Sequence, residues 1–428
     1  MGTNFSKSSC SYCNKPFIEE LWCKECDPFG IMEGWTSGNP DIDKFLKDTM
    51  YKPKFDFEFL EWVTFDRFTD IKEIGEGGFA KVYSATWIGG YSSFHKGDDG
   101  SWQKVNSRPM MKVALKRLNG SQNMSDKYLN EFKIHWKLSR LGGLRIYGLT
   151  NDPETKEFMM IIEFASMGNL RSSLSNNFNK IWWKNKIKLL YGSLVDLQDL
   201  HKLGYFHKDF HSGNILRFDD TISRISDFGL SGPASEQKSD DSVVYGVMPY
   251  IAPEVLNGES YTSSSDIYSV GVIMAELSSG KPPFYDKKHD LSLALAICNG
   301  LRPEFGKGTP EFYKKLAYKC LNANPVERPT AKELKDTFEF WYYSIEGWKN
   351  EMGSEIIKAF KEADKEIPNI STLYKKNLDA VYASRAFTFS NLLPKPVNSL
   401  IITSYINDEV CDSQLTNLEI SNSIQLRR

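Results

Sequence analysis

Apolar residues along the chain change period. Between about residue 66 and residue 165, short runs alternate apolar and polar positions: FTDIKEIG, KVYSATWIG, KVALKRL and FMMIIEFA. Period-two alternation predicts half-buried β-strands. Beyond them NKIKLLYGSLVDLQDLHKLG, SSSDIYSVGVIMAELSSG and PEFYKKLAYKCL carry their apolar residues at helical spacing. Strands followed by helices within residues 66–343 predict an α+β fold, a small β-rich lobe joined to a larger helical lobe. SSFHKGDDGSWQKVNSRP, between the second and third strands, is polar and Gly-containing and predicts a surface loop.

The flanks read differently. Residues 1–26 form a cysteine module and residues 27–65 a connector. Within it, residues 41–51 predict a helix, with Ser37, Asn39 and Pro40 as its start signals. FDFEFLEWVTF is too aromatic for a free linker and is expected to pack on the next domain. Residues 344–428 are expected to be a tail, partly helical over EMGSEIIKAFKEADKEI and then disordered, because its end is polar and poor in aromatics.

Composition narrows the class. With 41% hydrophobic residues among 428, a large core can be buried. Lys and Arg number 53 against 55 Asp and Glu, so net charge gives no reason to expect nucleic acid. No apolar run of transmembrane length and no signal-peptide stretch occur. Four of the seven cysteines fall within the first 26 residues, while Cys298, Cys320 and Cys411 are scattered. This is no disulfide framework, and a cytoplasmic location with reduced thiols is expected.

The candidate chemistry is an ordered series. Gly75, Gly77 and Gly78 sit in a run, Gly75-Glu-Gly-Gly-Phe-Ala80-Lys-Val82, whose missing Cβ atoms let backbone approach phosphates. Such a run also marks dinucleotide-binding folds, where it opens a helix; here alternating segments flank it and predict a hairpin. Val113-Ala114-Leu115-Lys116 places a lysine on a strand, and a buried ammonium needs an anionic partner. Glu131 in KYLNEFKIHWKL is the best candidate. Next come His207-Lys208-Asp209-Phe210-His211-Ser212-Gly213-Asn214 and Asp227-Phe228-Gly229. The side chains of Asn214 and Asp227 offer hard oxygens of the kind Mg²⁺ takes. Ala252-Pro253-Glu254, Ser265-Asp266-Ile267-Tyr268 and Glu327-Arg328-Pro329 complete the series.

With these motifs, and with CSYCNKPF…LWCKEC, TSGNPDIDKFL, YGVMPYIAPEV and ICNGLRPEF, the chain resembles eukaryotic protein kinases of the tyrosine-kinase-like group, in particular the kinases expanded in arbuscular mycorrhizal fungi. The resemblance implies the two-lobed kinase fold, and ATP and Mg²⁺ as ligands. Lys116 would contact the phosphates, paired with Glu131. Asp209 would orient the hydroxyl of a protein substrate, and Asn214 and Asp227 would hold Mg²⁺. Val82, Ala114 and Leu216 would line the nucleotide site, with Ile162 as gatekeeper. The backbone of Glu163 and Ala165 would take the adenine and Asn169 would lie near the ribose. Glu254 and Arg328 would pair in the helical lobe, and Asp266 would brace the catalytic loop.

The pattern departs from the family in four places. Ala80 replaces the last glycine of the loop, and Lys208 replaces an arginine that grips a phosphorylated activation segment. His211 and Val247 stand where serine/threonine kinases carry a lysine and a threonine, so a serine or threonine acceptor is favoured by group resemblance alone. His211 could replace that lysine's charge only when protonated; the alternative is a neutral ring packed beside Val247. An active kinase is expected. A pseudokinase scaffold that binds nucleotide or partners is the alternative, and a small-molecule phosphotransferase fits less well because it lacks the Ala-Pro-Glu segment.

The N-terminus adds two expectations. Cys10, Cys13, Cys23 and Cys26 form two knuckles nine residues apart, which can surround one structural Zn²⁺ tetrahedrally. Met1-Gly2-Thr3-Asn4-Phe5-Ser6 matches the N-myristoylation pattern at Gly2, which would give weak membrane association.

Overall fold

The computed structural model describes residues 36–50, 59–77, 80–96, 102–106, 110–233, 243–347, 351–388 and 392–407. The cysteine module, Gly2, Gly78 and the polar end of the tail lie outside the described residues. The chain divides into two compact units, residues 1–164 and 165–428.

The first unit contains helix α1 (Pro40–Met50), strands β1 (Glu61–Trp62), β2 (Phe68–Glu76), β3 (Ala80–Ile88), β4 (Ser92–Lys96), β5 (Trp102–Asn106) and β6 (Met110–Leu118), helix α2 (Asp126–Ser139), and strands β7 (Ile146–Asn151) and β8 (Phe158–Glu163). Six strands form one sheet in the order β1-β7-β8-β6-β3-β2. Period-two alternation sorts the faces. Val113 and Leu115 of β6 join Trp87, Tyr147, Met159 and Ile161 in one buried cluster, which leaves Ala114 and Lys116 for the opposite face.

The connector is integral to this unit. Asn39 Oδ1 accepts the N–H groups of Asp41 and Ile42 at 3.0 and 3.1 Å, capping α1. Phe59, Leu60 and Val63 are buried, and β1 adds to the sheet edge parallel to β7. One expectation needs correction. Within the stretch expected to be a surface loop, β4 and β5 pair antiparallel, Ser92 opposite Asn106 and Lys96 opposite Trp102. SSFHK and WQKVN carry Phe94, Trp102 and Val105, aromatic and β-branched residue types that suit paired strands.

The second unit is mainly helical: α3 (Leu170–Asn177), α4 (Trp183–Lys202), α5 (Pro253–Leu256), α6 (Ser263–Ser279), α7 (Leu291–Cys298), α8 (Glu311–Cys320), α9 (Ala331–Ile345), α10 (Glu351–Glu366) and α11 (Leu400–Asn407). Short strands β9 (Tyr205–Phe206), β10 (Ile215–Arg217), β11 (Ser223–Ile225), β12 (Gly232–Pro233), β13 (Val244–Gly246) and β14 (Arg385–Phe387) punctuate them. Leu189, Leu190, Leu194, Leu197 and Leu200 of α4 are fully buried, and α6 is buried from Ser265 to Ser278. Gly280 ends α6 in the left-handed region, φ 70°. Cys298 and Cys320 are buried free thiols.

The expected tail is seated on this unit over its described part. From α10, Asp364 accepts the Trp183 N–H at 2.8 Å and Phe360 packs on the Trp183 ring. Beyond it, Ile367, Ala380, Phe387, Leu393 and Ile402 are buried. These apolar residues are spaced too irregularly to announce a regular element, which is why the sequence reads as a tail. Among the described residues no helix is long and apolar enough to cross a membrane.

A buried ion pair ties α5 to the loop before α9. Arg328 Nη1 and Nη2 donate to the two oxygens of Glu254 at 2.7 Å each, and Arg328 Nε donates to the Asn322 carbonyl at 2.8 Å. Removing one partner strands a buried charge, which costs about 3–5 kcal/mol. Arg328→Met is therefore expected to lower the urea-unfolding free energy by about that amount, and Glu254→Gln/Arg328→Met to lower it by less than the two single changes added together. Strict additivity would contradict the pairing.

Candidate active site

Strand register gathers the candidate residues of the first unit. Residues opposite one another in an antiparallel pair project to the same face. Val82 lies opposite Lys116, and Ala114 lies opposite Ile162. One face thus carries Val82, Ala114, Lys116 and Ile162, although they are spread over 81 positions of sequence numbering. Lys116 Nζ lies 2.6 Å from Glu131 Oε1 of α2, and both residues are buried. A buried ammonium is tolerated when a carboxylate neutralises it, and the pairing fixes where the charge points.

Gly75 lies opposite Val82, and Gly77 N–H donates to the Ala80 carbonyl at 2.8 Å. The glycine run therefore joins two antiparallel strands. It does not open a helix as a dinucleotide-binding run would. At Glu163 the N–H donates to the Arg145 carbonyl at 3.0 Å, so the group it can offer a base is its carbonyl.

The second unit carries the rest. The Asn169 side chain caps α3, accepting the Ser172 N–H at 2.8 Å, and its backbone bridges to Leu216 of β10. The Ala165 carbonyl accepts the Gly168 N–H at 3.2 Å. The loop from His207 to Asn214 hangs on Asp266 of α6. Asp266 Oδ2 accepts the His207 N–H at 2.9 Å and Oδ1 accepts the Lys208 N–H at 3.0 Å, while His201 Nε2 lies 2.9 Å from Oδ2. Lys208 takes a positive φ of 65°, an uncommon conformation for a lysine that these two bonds hold in place.

Asn214 Nδ2 donates to the Asp209 carbonyl at 3.0 Å, which leaves the amide oxygen as the group that can face a cation. Ser226 N–H and Oγ both donate to the Asn214 carbonyl, at 2.9 and 3.0 Å. That fastens the residue before Asp227 to Asn214. Asp227 itself has φ 67°. The side-chain oxygens of Asn214 and Asp227 fit Mg²⁺, which takes one or two protein oxygens and completes its shell with water and phosphate. Among the described residues no cluster of three or more His, Cys, Asp or Glu could hold a metal.

Asp209 is 8% exposed, and its Oδ1 is buried without a hydrogen-bond partner. Its Oδ2 lies 3.7 Å from His211 Nε2. His211 Nδ1 accepts the Gly213 N–H at 3.0 Å and faces Arg171 Nη2 at 3.2 Å. Both neighbours are donors, so Nδ1 bears no proton and the ring stands as the neutral Nε2–H tautomer. His211 does not carry the charge that a lysine would; it points an N–H toward Asp209. The nearby cation is Arg171, whose Nε donates to Ser212 Oγ at 3.2 Å. Burial opposes its charge, but the Tyr250 phenol and the Glu276 carboxylate outweigh that and raise its pKa. Arg171 is the residue that sequence reasoning missed. It lies 40 residues before His211, in a stretch with no motif.

His207 joins the two signature loops. It is fully buried, its ring packs 5.5 Å from those of Phe210 and Phe228, and Nε2 lies 3.1 Å from the Ser226 carbonyl. Burial lowers its pKa below 6.5, despite the nearby carboxylates of Asp266, Asp209 and Asp227. Between its folded value and 6.5 the unfolded chain binds more protons. The stability His207 contributes is complete above 6.5 and is lost as pH falls through that window. Asp196, raised by burial to about 7, works in the opposite sense, so the test compares two proteins at each pH. The unfolding free energy of the native chain minus that of His207→Phe is expected to grow from about pH 5.5 to about pH 7.5. A constant difference would show that the ring is not buried neutral.

The family model described as protein tyrosine and serine/threonine kinase matches residues 68–338. A probable serine/threonine-protein kinase of Dictyostelium discoideum is 27% identical over 289 residues, covering 64% of this chain and 15% of that protein. A putative serine/threonine-protein kinase/receptor of Acanthamoeba polyphaga mimivirus is 31% identical over 278 residues, covering 64% and 16%. A probable serine/threonine-protein kinase of Arabidopsis thaliana is 27% identical over 343 residues, covering 75% and 84%. The chain thus spans less than a fifth of the length of the first two.

Proposed function

The chain belongs to the protein tyrosine and serine/threonine kinase family, and from that premise we propose that it is an ATP-dependent protein kinase transferring the γ-phosphate of MgATP to a protein hydroxyl. The observation that carries this reading is the buried 2.6 Å contact between Lys116 and Glu131. It points one ammonium at a fixed place on the face that also bears Val82, Ala114 and Ile162. Charge in that position serves the anionic groups of a nucleotide.

In this reading Asp209 accepts the acceptor's hydroxyl proton through its unpartnered Oδ1, and His211 N–H steadies the other oxygen. Asn214 and Asp227 hold Mg²⁺, which when bound neutralises phosphate charge. Lys116 orients the phosphates. The relatives' printed names favour serine or threonine as acceptor. The flanking stretches that accompany the domain favour the tyrosine-kinase-like group and the kinases expanded in arbuscular mycorrhizal fungi. A role in cytoplasmic signalling fits, with weak membrane association if Gly2 is myristoylated. The cysteine module is proposed to hold one structural Zn²⁺.

Incubation of the full chain with MgATP, followed by mass spectrometry of phosphosites, tests activity and acceptor type together. New phosphoserine or phosphothreonine is expected. MgATP binding without any transfer would instead establish a scaffold.

Lys116→Met, Asp209→Asn and Asp227→Asn are each expected to remove most transfer while the proteins still unfold cooperatively. Transfer at the native rate in all three would end the kinase reading. Metal analysis of the purified chain is expected to find one zinc, lost when Cys10 and Cys13 are both changed to Ser. Zinc-free protein after zinc-supplemented expression would contradict the site.

A further inference from the structure

The stretch from Tyr374 to Thr388 lies outside every motif that points to the chemistry, yet it is fastened to both sides of Asp209. Asn377 N–H donates to the Tyr285 carbonyl at 2.8 Å, and Tyr382 Oη donates to the Pro283 carbonyl at 2.8 Å. The Tyr382 carbonyl accepts from Arg171 Nη1 at 2.9 Å, and the Arg171 guanidinium sits 5.1 Å from the Tyr382 ring centre. The same guanidinium faces His211 Nδ1 at 3.2 Å. On the other side, β14 pairs antiparallel with β13: Gly246 opposite Arg385, Tyr245 opposite Ala386, and Val244 opposite Phe387. Val244 and Phe387 are buried, and Arg385 Nη2 donates to the His289 carbonyl.

β13 runs directly past the candidate catalytic carboxylate. A Cβ built on Gly246 would lie 3.5 Å from Asp209 Oδ1. An extended peptide that presents a hydroxyl to Asp209 has to pass Gly246, and the edge of β13 offers it backbone hydrogen bonds of the strand-addition kind. β14 already fills that edge, the two strands forming a sheet of their own. Ser384, the residue next to the Gly246 partner, has its Oγ buried without a hydrogen-bond partner, as does Asp209 at Oδ1. The segment is therefore extended, hydroxyl-bearing and in the path of an acceptor.

We propose that residues 382–388 are an internal occupant of the acceptor-docking edge, an autoinhibitory strap that an extended protein substrate must displace. The proposal rests on the protein kinase reading for what it inhibits, but occupancy of the edge can be measured without phosphotransfer.

The test uses the full chain and Tyr382→Ala/Phe387→Asp, which removes both anchors, together with Ala386→Pro, which removes a backbone donor from an exposed strap position without touching the core. A fluorescein-labelled peptide of residues 377–388 is followed by anisotropy, and KM and kcat are measured on a pooled serine/threonine peptide library at saturating MgATP. If the strap is seated nine-tenths of the time, releasing it lowers KM roughly tenfold with kcat unchanged. The labelled peptide should bind the released variants and not the native chain, and should compete with the library but not with MgATP. Failure of every folded variant to bind the peptide, or an unchanged KM with bound peptide that does not compete, would overturn the strap. Should the double variant fail to fold, Ala386→Pro carries the same comparison. Absence of transfer from all forms would count against the kinase reading, and the anisotropy result would still decide the strap.

Discussion

One buried carboxylate sets the geometry on which the second unit's chemistry depends. Asp266 is 2% exposed and spends both oxygens on consecutive backbone N–H groups, those of His207 and Lys208. Two charge-assisted bonds to adjacent residues leave the loop little freedom, and Lys208 is held at φ 65° as a result. The next residue is Asp209. Asn214 then closes the loop by donating to the Asp209 carbonyl, and Ser226 ties the Asp227 segment to Asn214. The side chains of Asp209, Asn214 and Asp227 take their positions from this chain of backbone contacts, anchored on a helix that is itself almost wholly buried.

Much of this was legible beforehand, for physical reasons. The strands of the first unit alternate cleanly because one face packs on Trp87 and its neighbours. A strand of known register then says which residues share the other face. Lys116 on a strand needs an acid, and Glu131 lies mid-way along the following helix. The roles of Asp266 and of the Glu254–Arg328 pair came from resemblance, and each sits against the partner the resemblance names.

What stayed hidden depends on long-range partners. The motif alone does not reveal the tautomer of His211, which is dictated by the Gly213 N–H together with Arg171 on α3. The sequence around Tyr382 and Phe387 reads as tail because its apolar residues follow no period; their order comes from pairing with β13 and from Arg171, 211 residues before Tyr382. The β4–β5 pairing is not announced by the sequence, because polar residues dominate both strands. For His211 and for the stretch around Tyr382 the missing information was a contact with a distant segment, which no single-segment pattern encodes.

In this reading Asp266 makes the loop competent by holding its backbone, without itself touching substrate. Asp266→Asn keeps the shape but can accept at only one of the two backbone sites without offering a mismatched donor to the other. The direct measurement is the single-turnover rate of phosphate transfer at saturating MgATP and acceptor peptide, beside MgATP affinity, for the native chain and this variant. A misplacement of the order of 1 Å costs about 100-fold in rate, so the account predicts a loss of that size with nucleotide affinity within about threefold of native. Transfer at the native rate would contradict it.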